Sequence, residues 1–157
     1  MKKAICCLLA LLTLAVSACG MQYRADVPMS DLLDRALGSV DPDVRFVRAD
    51  RSYLDGYFPL SEEIREGAIY YAADGNNLDE FGVFYSSDPR ELAEDLQEYL
   101  ADCLEENVAF YDSYIPEQTP KLRDARVRIF GDCVVYAILS PTEQSDFFHA
   151  MEEALRM

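Results

Sequence analysis

Hydrophobic residues recur in three rhythms along this chain, and each rhythm predicts a different kind of element. An unbroken apolar or small run over residues 4–16 follows Lys2 and Lys3, the order a signal peptide needs. It is shorter than the roughly 20 apolar residues of a spanning helix and ends at Ser17-Ala18-Cys19 without a basic flank. Helical spacing appears first at Met29, Leu32, Leu33, Ala36 and Leu37, with Gly38 where a C-cap would stand. Asp41-Pro42 then breaks the chain, and residues 44–47 read as a short strand. Two β-favouring runs, 67–73 and 81–85, flank Asp74-Gly75-Asn76-Asn77-Leu78-Asp79, so this stretch reads as a hairpin.

Asp88-Pro89-Arg90-Glu91 sets a capping acid before a proline at the first helical position. The helix it starts has an apolar stripe of Leu92, Leu96, Tyr99, Leu100, Cys103 and Leu104. Glu91, Glu94, Asp95, Glu98, Asp102, Glu105 and Glu106 crowd its other face, a solvated surface or else a docking face for a cationic partner or ion. Tyr114-Ile115-Pro116 and Thr119-Pro120 interrupt the chain again. In residues 125–130, Val127 and Ile129 alternate with Arg126 and Arg128, a strand with one wet face. Gly131-Asp132 signals a tight turn, and residues 133–139 are all apolar, as in a central strand covered on both sides or nearly so. Ser140-Pro141-Thr142-Glu143 repeats the capping pattern before a last helix with Phe147, Phe148, Met151, Ala154 and Leu155 on one face.

This order implies an α+β domain: a four-stranded, mostly antiparallel sheet of two hairpins, with helices packed on one face. No internal linker divides it, so residues 29–157 are expected to form one domain.

Composition sharpens this. With 29 acids against 14 Lys plus Arg, a net charge of −15, the chain is a poor match for nucleic acid, whose binding rests on cationic neutralisation. Val16-Ser17-Ala18-Cys19-Gly20 resembles the lipobox of bacterial lipoproteins. That resemblance implies removal of residues 1–18, lipidation of Cys19 and a short tether over residues 19–28. The mature chain would carry 12 Lys plus Arg against 29 acids, a charge of −17. Nine steps from Cys19 to Pro28 span at most about 30 Å, which keeps the body near the headgroups. Export leaves Cys103 and Cys133 to pair as a disulfide or to stay free.

Candidate chemistry is sparse. The oxygens of Asp74, Asn76 and Asp79 suggest calcium, but Leu78 takes a ligand position of the calcium-loop spacing and Asp79 stands where that spacing needs Gly, so a plain turn is expected. His149 is the only histidine and is expected to face water. No phosphate loop, nucleophile elbow or Cys-x-x-Cys occurs, and neither metal nor cofactor is expected. Arg126 and Arg128, with Arg123 nearby, could hold a carboxylate or phosphate, or pair with neighbouring acids. Aromatics concentrate at Tyr53-Leu54-Asp55-Gly56-Tyr57-Phe58-Pro59, either as ligand anchors or as cover for a sheet edge.

The lipobox at Cys19, Glu80-Phe81-Gly82-Val83-Phe84, the helix after Asp88-Pro89, Tyr114-Ile115-Pro116-Glu117, Ala125-Arg126-Val127 and Gly131-Asp132-Cys133-Val134-Val135 together resemble the lipoproteins called domain of unknown function 4358. The resemblance implies small lipoproteins, mostly of Gram-positive anaerobes, with no assigned activity. Glu80 and Tyr114 attract notice as polar positions beside elements whose core would not ask for them. The expectation is a non-enzymatic envelope lipoprotein at the outer face of the cytoplasmic membrane, held by lipid and binding an envelope protein or small ligand. The alternative is a carboxylate-based envelope hydrolase acting on glycan or peptide, which would need two acids about 5 to 10 Å apart.

Overall fold

The computed structural model describes residues 21–49 and 64–157. Cys19 with the leader before it, and the aromatic segment Tyr53 to Pro59, lie outside the described residues. Among the described residues, four helices and five strands follow in the order α1 (Met29–Gly38), β1 (Phe46–Arg48), β2 (Ile64–Ala72), β3 (Glu80–Ser86), α2 (Pro89–Tyr114), α3 (Thr119–Arg123), β4 (Arg126–Phe130), β5 (Cys133–Ile138) and α4 (Pro141–Leu155). The sheet order is β1-β2-β3-β5-β4, with every neighbouring pair antiparallel.

The α+β class and both hairpins stand as expected, while the strand count is corrected from four to five. Phe46–Arg48 pairs with Tyr70, Tyr71 and Ala72 and becomes the outer edge. The two hairpins join through β3 and β5, Gly82 facing Tyr136 across the seam.

The helices cover both faces of the sheet, not one. Phe81, Val83, Cys133, Val135 and Ala137 are buried under α1 and α4 with Leu32, Phe147 and Met151. The intervening positions Phe84, Val134, Tyr136 and Ile138 are buried under α2 and α3 with Leu92, Leu96 and Leu122. The physical reason is the period of a strand: successive side chains point to opposite faces, so an all-apolar strand needs cover on both. The all-apolar run at 133–139 is the sequence signature of such a strand.

Local capping explains the element boundaries. The Asp88 carboxylate accepts from the backbone N–H groups of Arg90 and Glu91 at 3.2 Å each, with Pro89 in the first turn, so α2 starts where the sequence pattern placed it. At α4, the Ser140 hydroxyl donates to the Glu143 carboxylate and its oxygen accepts from the Glu143 N–H. Gly38 proves to be the last residue of α1, and the cap is Ser39, whose hydroxyl donates to Ala36 O at 2.7 Å. Pro120, read as a breaker, instead sits in the first turn of α3, where its missing N–H costs nothing.

The β4–β5 turn uses Gly131 at φ +62°, a conformation that glycine adopts freely. Tyr23 lies against this turn: its ring meets Phe130 edge-on at 5.5 Å, and a Cβ on Gly131 would come within 3.1 Å of Tyr23 Cβ. Arg24 N donates to Leu155 O, and the Tyr85 hydroxyl donates to Val27 O at 2.8 Å. The body therefore begins before Met29, and residues read as tether are docked from Tyr23 onward.

Candidate functional site

A mismatch of lengths opens a cleft at one end of the sheet. The seven residues of β3 span about 23 Å, whereas the 26 residues of α2 rise about 39 Å. Starting beside the β4–β5 turn and running back across the sheet, α2 overshoots the far end of β3. Its overhanging turns face the β2–β3 loop, and between them lies a cleft of about 410 Å³, in the range of small-molecule sites.

Glu80 sits at the floor, at the start of β3. Its Oε1 accepts from the Tyr136 hydroxyl at 2.6 Å and from the Tyr99 hydroxyl at 3.0 Å, one phenol from the sheet and one from α2. Gly82 permits this arrangement. A Cβ there would lie 2.3 Å from the Tyr136 ring, so only glycine lets that ring lie across β3 and reach Glu80. The two tyrosine rings meet edge-on at 6.0 Å. A buried carboxylate needs such donors, because burial strips the water that would otherwise solvate it.

The β2–β3 loop forms one wall and is clipped to α3. Lys121 Nζ lies 2.6 Å from Asp79 Oδ1 and 3.2 Å from Asn77 Oδ1, with Asp79 only 2% exposed. Gln118 Oε1 accepts from Leu78 N. Of the oxygens that suggested calcium, Asp74 Oδ1 accepts from Asn76 N at 3.0 Å and Asp79 Oδ1 is held by Lys121, while neighbouring Asn77 Oδ1 accepts from Asp79 N at 3.0 Å. This is the turn that the sequence predicted. Among the described residues, no group of three or more His, Cys, Asp or Glu is placed to hold a metal ion.

The α2 wall contributes Tyr99, Cys103, Asn107 and Tyr111. These residues repeat at helical spacing, so they share the face turned toward the cleft. Burial pushes the Cys103 thiol up to about 11, and Glu80 adds to the shift against an opposing hydrogen bond with Tyr99. At neutral pH it is a thiol, not a thiolate nucleophile. Beyond the cleft, Phe110 meets Tyr111 edge-on and stacks on Tyr114 at 4.6 Å. Phe110 is 56% exposed and Tyr114 72%, so the last turn of α2 presents an aromatic shelf to solvent.

Of the residues singled out in the sequence, Glu80 and Tyr114 come to the same end of the molecule, one at the cleft floor and the other on the shelf. Arg126 and Arg128 lie on edge strand β4, outside the cleft lining. Arg126 lies 4.0 Å from Asp124, Arg128 covers the Phe148 ring at 4.7 Å, and nearby Arg123 pairs with Asp112 at 2.7 Å. The suggested disulfide is not formed. Cys103 and Cys133 are free, and they sit in cores on opposite faces of the sheet, the Cys133 thiol pushed up to about 12 by burial. His149 faces solvent, 3.6 Å from Glu153.

Sequence reading missed Tyr136, Gly82 and Lys121. A signal existed for the first two: a tyrosine inside an otherwise apolar strand must find a partner for its hydroxyl, and a glycine between phenylalanines marks a close approach. Lys121 carried no signal, because its pairing with Asp79 joins residues 42 apart in the chain.

These features define a small α+β domain with one antiparallel sheet between two helical layers and a tyrosine-lined cleft of mixed polarity at one end. The chain belongs to the family described as Domain of unknown function (DUF4358), whose model matches residues 40–139. That stretch holds all five strands, α2, α3 and the cleft. No curated protein and no solved structure matches the chain.

Proposed function

We propose that this protein is a lipid-anchored binding module of the bacterial envelope. Cys19 carries the lipid at the outer face of the cytoplasmic membrane, and the cleft engages an envelope protein or a small ligand. The observation that carries this reading is polarity. The chain enters the body at the β4–β5 turn, where Tyr23 packs, whereas Glu80 and Ile138 line the cleft at the other end of the same strands. Four residue steps from Cys19 to Tyr23 reach at most about 14 Å. A lipid on Cys19 would hold the turn end close to the headgroups and point the cleft away from them. Among the described residues no helix is long and apolar enough to cross a membrane.

Binding is favoured over catalysis by how the cleft acids are engaged. A hydrolase of the carboxylate type needs one acid ready to give a proton and another to attack or activate water. Asp79 is tied to Lys121, Glu80 accepts from two phenols, and Asp74 accepts from the backbone N–H of Asn76.

The test has two arms. Cys19→Ser is expected to move the protein out of the membrane fraction; retention there would remove the anchor from the account. Affinity capture of the anchored protein is expected to enrich an envelope component that Asn107→Ala with Tyr111→Ala loses. Unchanged enrichment would place binding elsewhere on the surface.

A further inference from the structure

The geometry points to a short, uncharged, hydroxyl-rich saccharide as the ligand class of the cleft and its aromatic shelf. This inference rests on the cleft being the binding surface and adds what that surface recognises. The polar groups gathered there are mainly oxygens: the carboxylates of Asp74, Asp79 and Glu80 and the phenols of Tyr71, Tyr99 and Tyr111. Tyr99 directs its proton to Glu80, and Asn107 uses one of its two amide N–H donors on Cys103 O. A lining of this kind accepts hydrogen bonds, and it suits a ligand that brings many O–H or N–H donors. A phosphate or carboxylate ligand would meet the three acids as well as a chain charge of −15.

The second observation is independent of the polar lining. Phe110 and Tyr114 stack in the open at 4.6 Å, and Tyr111 links them to the cleft. Large aromatic faces left in solvent beside a cleft of mixed polarity offer flat apolar platforms. The C–H face of a pyranose ring covers such a platform while its hydroxyls reach the oxygens beside it. A trisaccharide is long enough to occupy both.

The probe is triacetylchitotriose, titrated into the purified full-length lipidated protein in detergent and followed by tyrosine fluorescence and saturation-transfer NMR. Its deacetylated, cationic trimer and the anionic trigalacturonate serve as comparisons. The neutral trimer is expected to bind, with contacts to its ring protons. Phe110→Ala and Tyr114→Ala should each weaken it about threefold, and Tyr111→Ala about tenfold, as a central aromatic anchor would. Phe110→Ala and Tyr114→Ala remove exposed rings, so an unchanged melting temperature is expected for both. Binding confined to the cationic trimer, equal binding of trigalacturonate, or no binding of the neutral trimer would each overturn the saccharide assignment. If the envelope component captured above is still lost with Asn107→Ala and Tyr111→Ala, the cleft stands as the binding surface and only its ligand class has failed.

Discussion

On the α1/α4 face, β3 and β5 present Phe81, Val83, Cys133, Val135 and Ala137, and Phe81 lies within 5.5 Å, ring centre to ring centre, of Phe46, Tyr70 and Phe147. On the α2/α3 face the same strands present Glu80, Gly82 and Tyr136 beside Phe84 and Val134, and the helix above them supplies Tyr99 and Cys103. The first face is apolar throughout its centre. The second is apolar near the start of α2 and becomes polar toward the overhang, where the cleft opens. A strand pair buried on both sides can thus devote one face to cohesion and interrupt the other with a hydrogen-bonded carboxylate, provided every buried polar group finds a partner. The family match spans the sheet and the cleft face but begins after α1 and stops before α4, the two helices that cover the apolar face.

The largest effect should come from the apolar face. Phe81→Ala empties the centre of its aromatic cluster and is expected to cost about 4 kcal/mol in urea unfolding. A loss below about 1 kcal/mol would show that this face is not the main source of cohesion.

Next in size is Lys121→Met. It leaves the Asp79 carboxylate buried without its cation, a loss of about 3 kcal/mol, and a second substitution, Asp79→Asn, should recover most of it. A double variant no more stable than the single one would mean that the lysine acts by packing and not by charge.

Tyr136→Phe removes one buried donor from Glu80 and keeps the ring, so about 2 kcal/mol is expected, with the cleft distorted at its floor. An unchanged denaturation midpoint would mean that Glu80 does not depend on this phenol.

The smallest effect is zero at neutral pH and appears only in base. Burial raises the Cys133 thiol from 9.0 to about 12 and the Cys103 thiol from 9.0 to about 11. Both groups hold their protons longer in the folded chain than in the unfolded one. Their contribution is therefore complete below pH 9 and is lost as pH rises through the folded values. Melting temperature should fall steadily above pH 9, and Cys133→Ala should flatten that slope. An equally steep slope in the variant would assign the base sensitivity to other groups, the buried Tyr85 phenol first among them.

What the sequence disclosed and what it withheld divide along the same lines. Caps and turns were legible because Asp88-Pro89, Ser140-Pro141 and Gly131-Asp132 act within a few residues of themselves. The β3–β5 seam was not, since nothing local dictates which strands of two hairpins will meet. Coverage of both faces was legible in principle, as neither 81–85 nor 133–139 offers a wet parity. The cleft arises from the excess length of α2 over β3 and from the Lys121–Asp79 clip, both long-range facts. Glu80 stood out as an acid at a strand start, but its partner Tyr136 lies 56 residues away.

A benzophenone photo-crosslinker placed at Tyr111, compared with one at exposed His149 on the opposite helical layer, tests the central claim in the protein's own membrane. Illumination should join the Tyr111 position to envelope material and leave the His149 position uncoupled. Equal coupling at both positions, or coupling at His149 alone, would contradict a binding surface held on the α2 side and turned away from the bilayer.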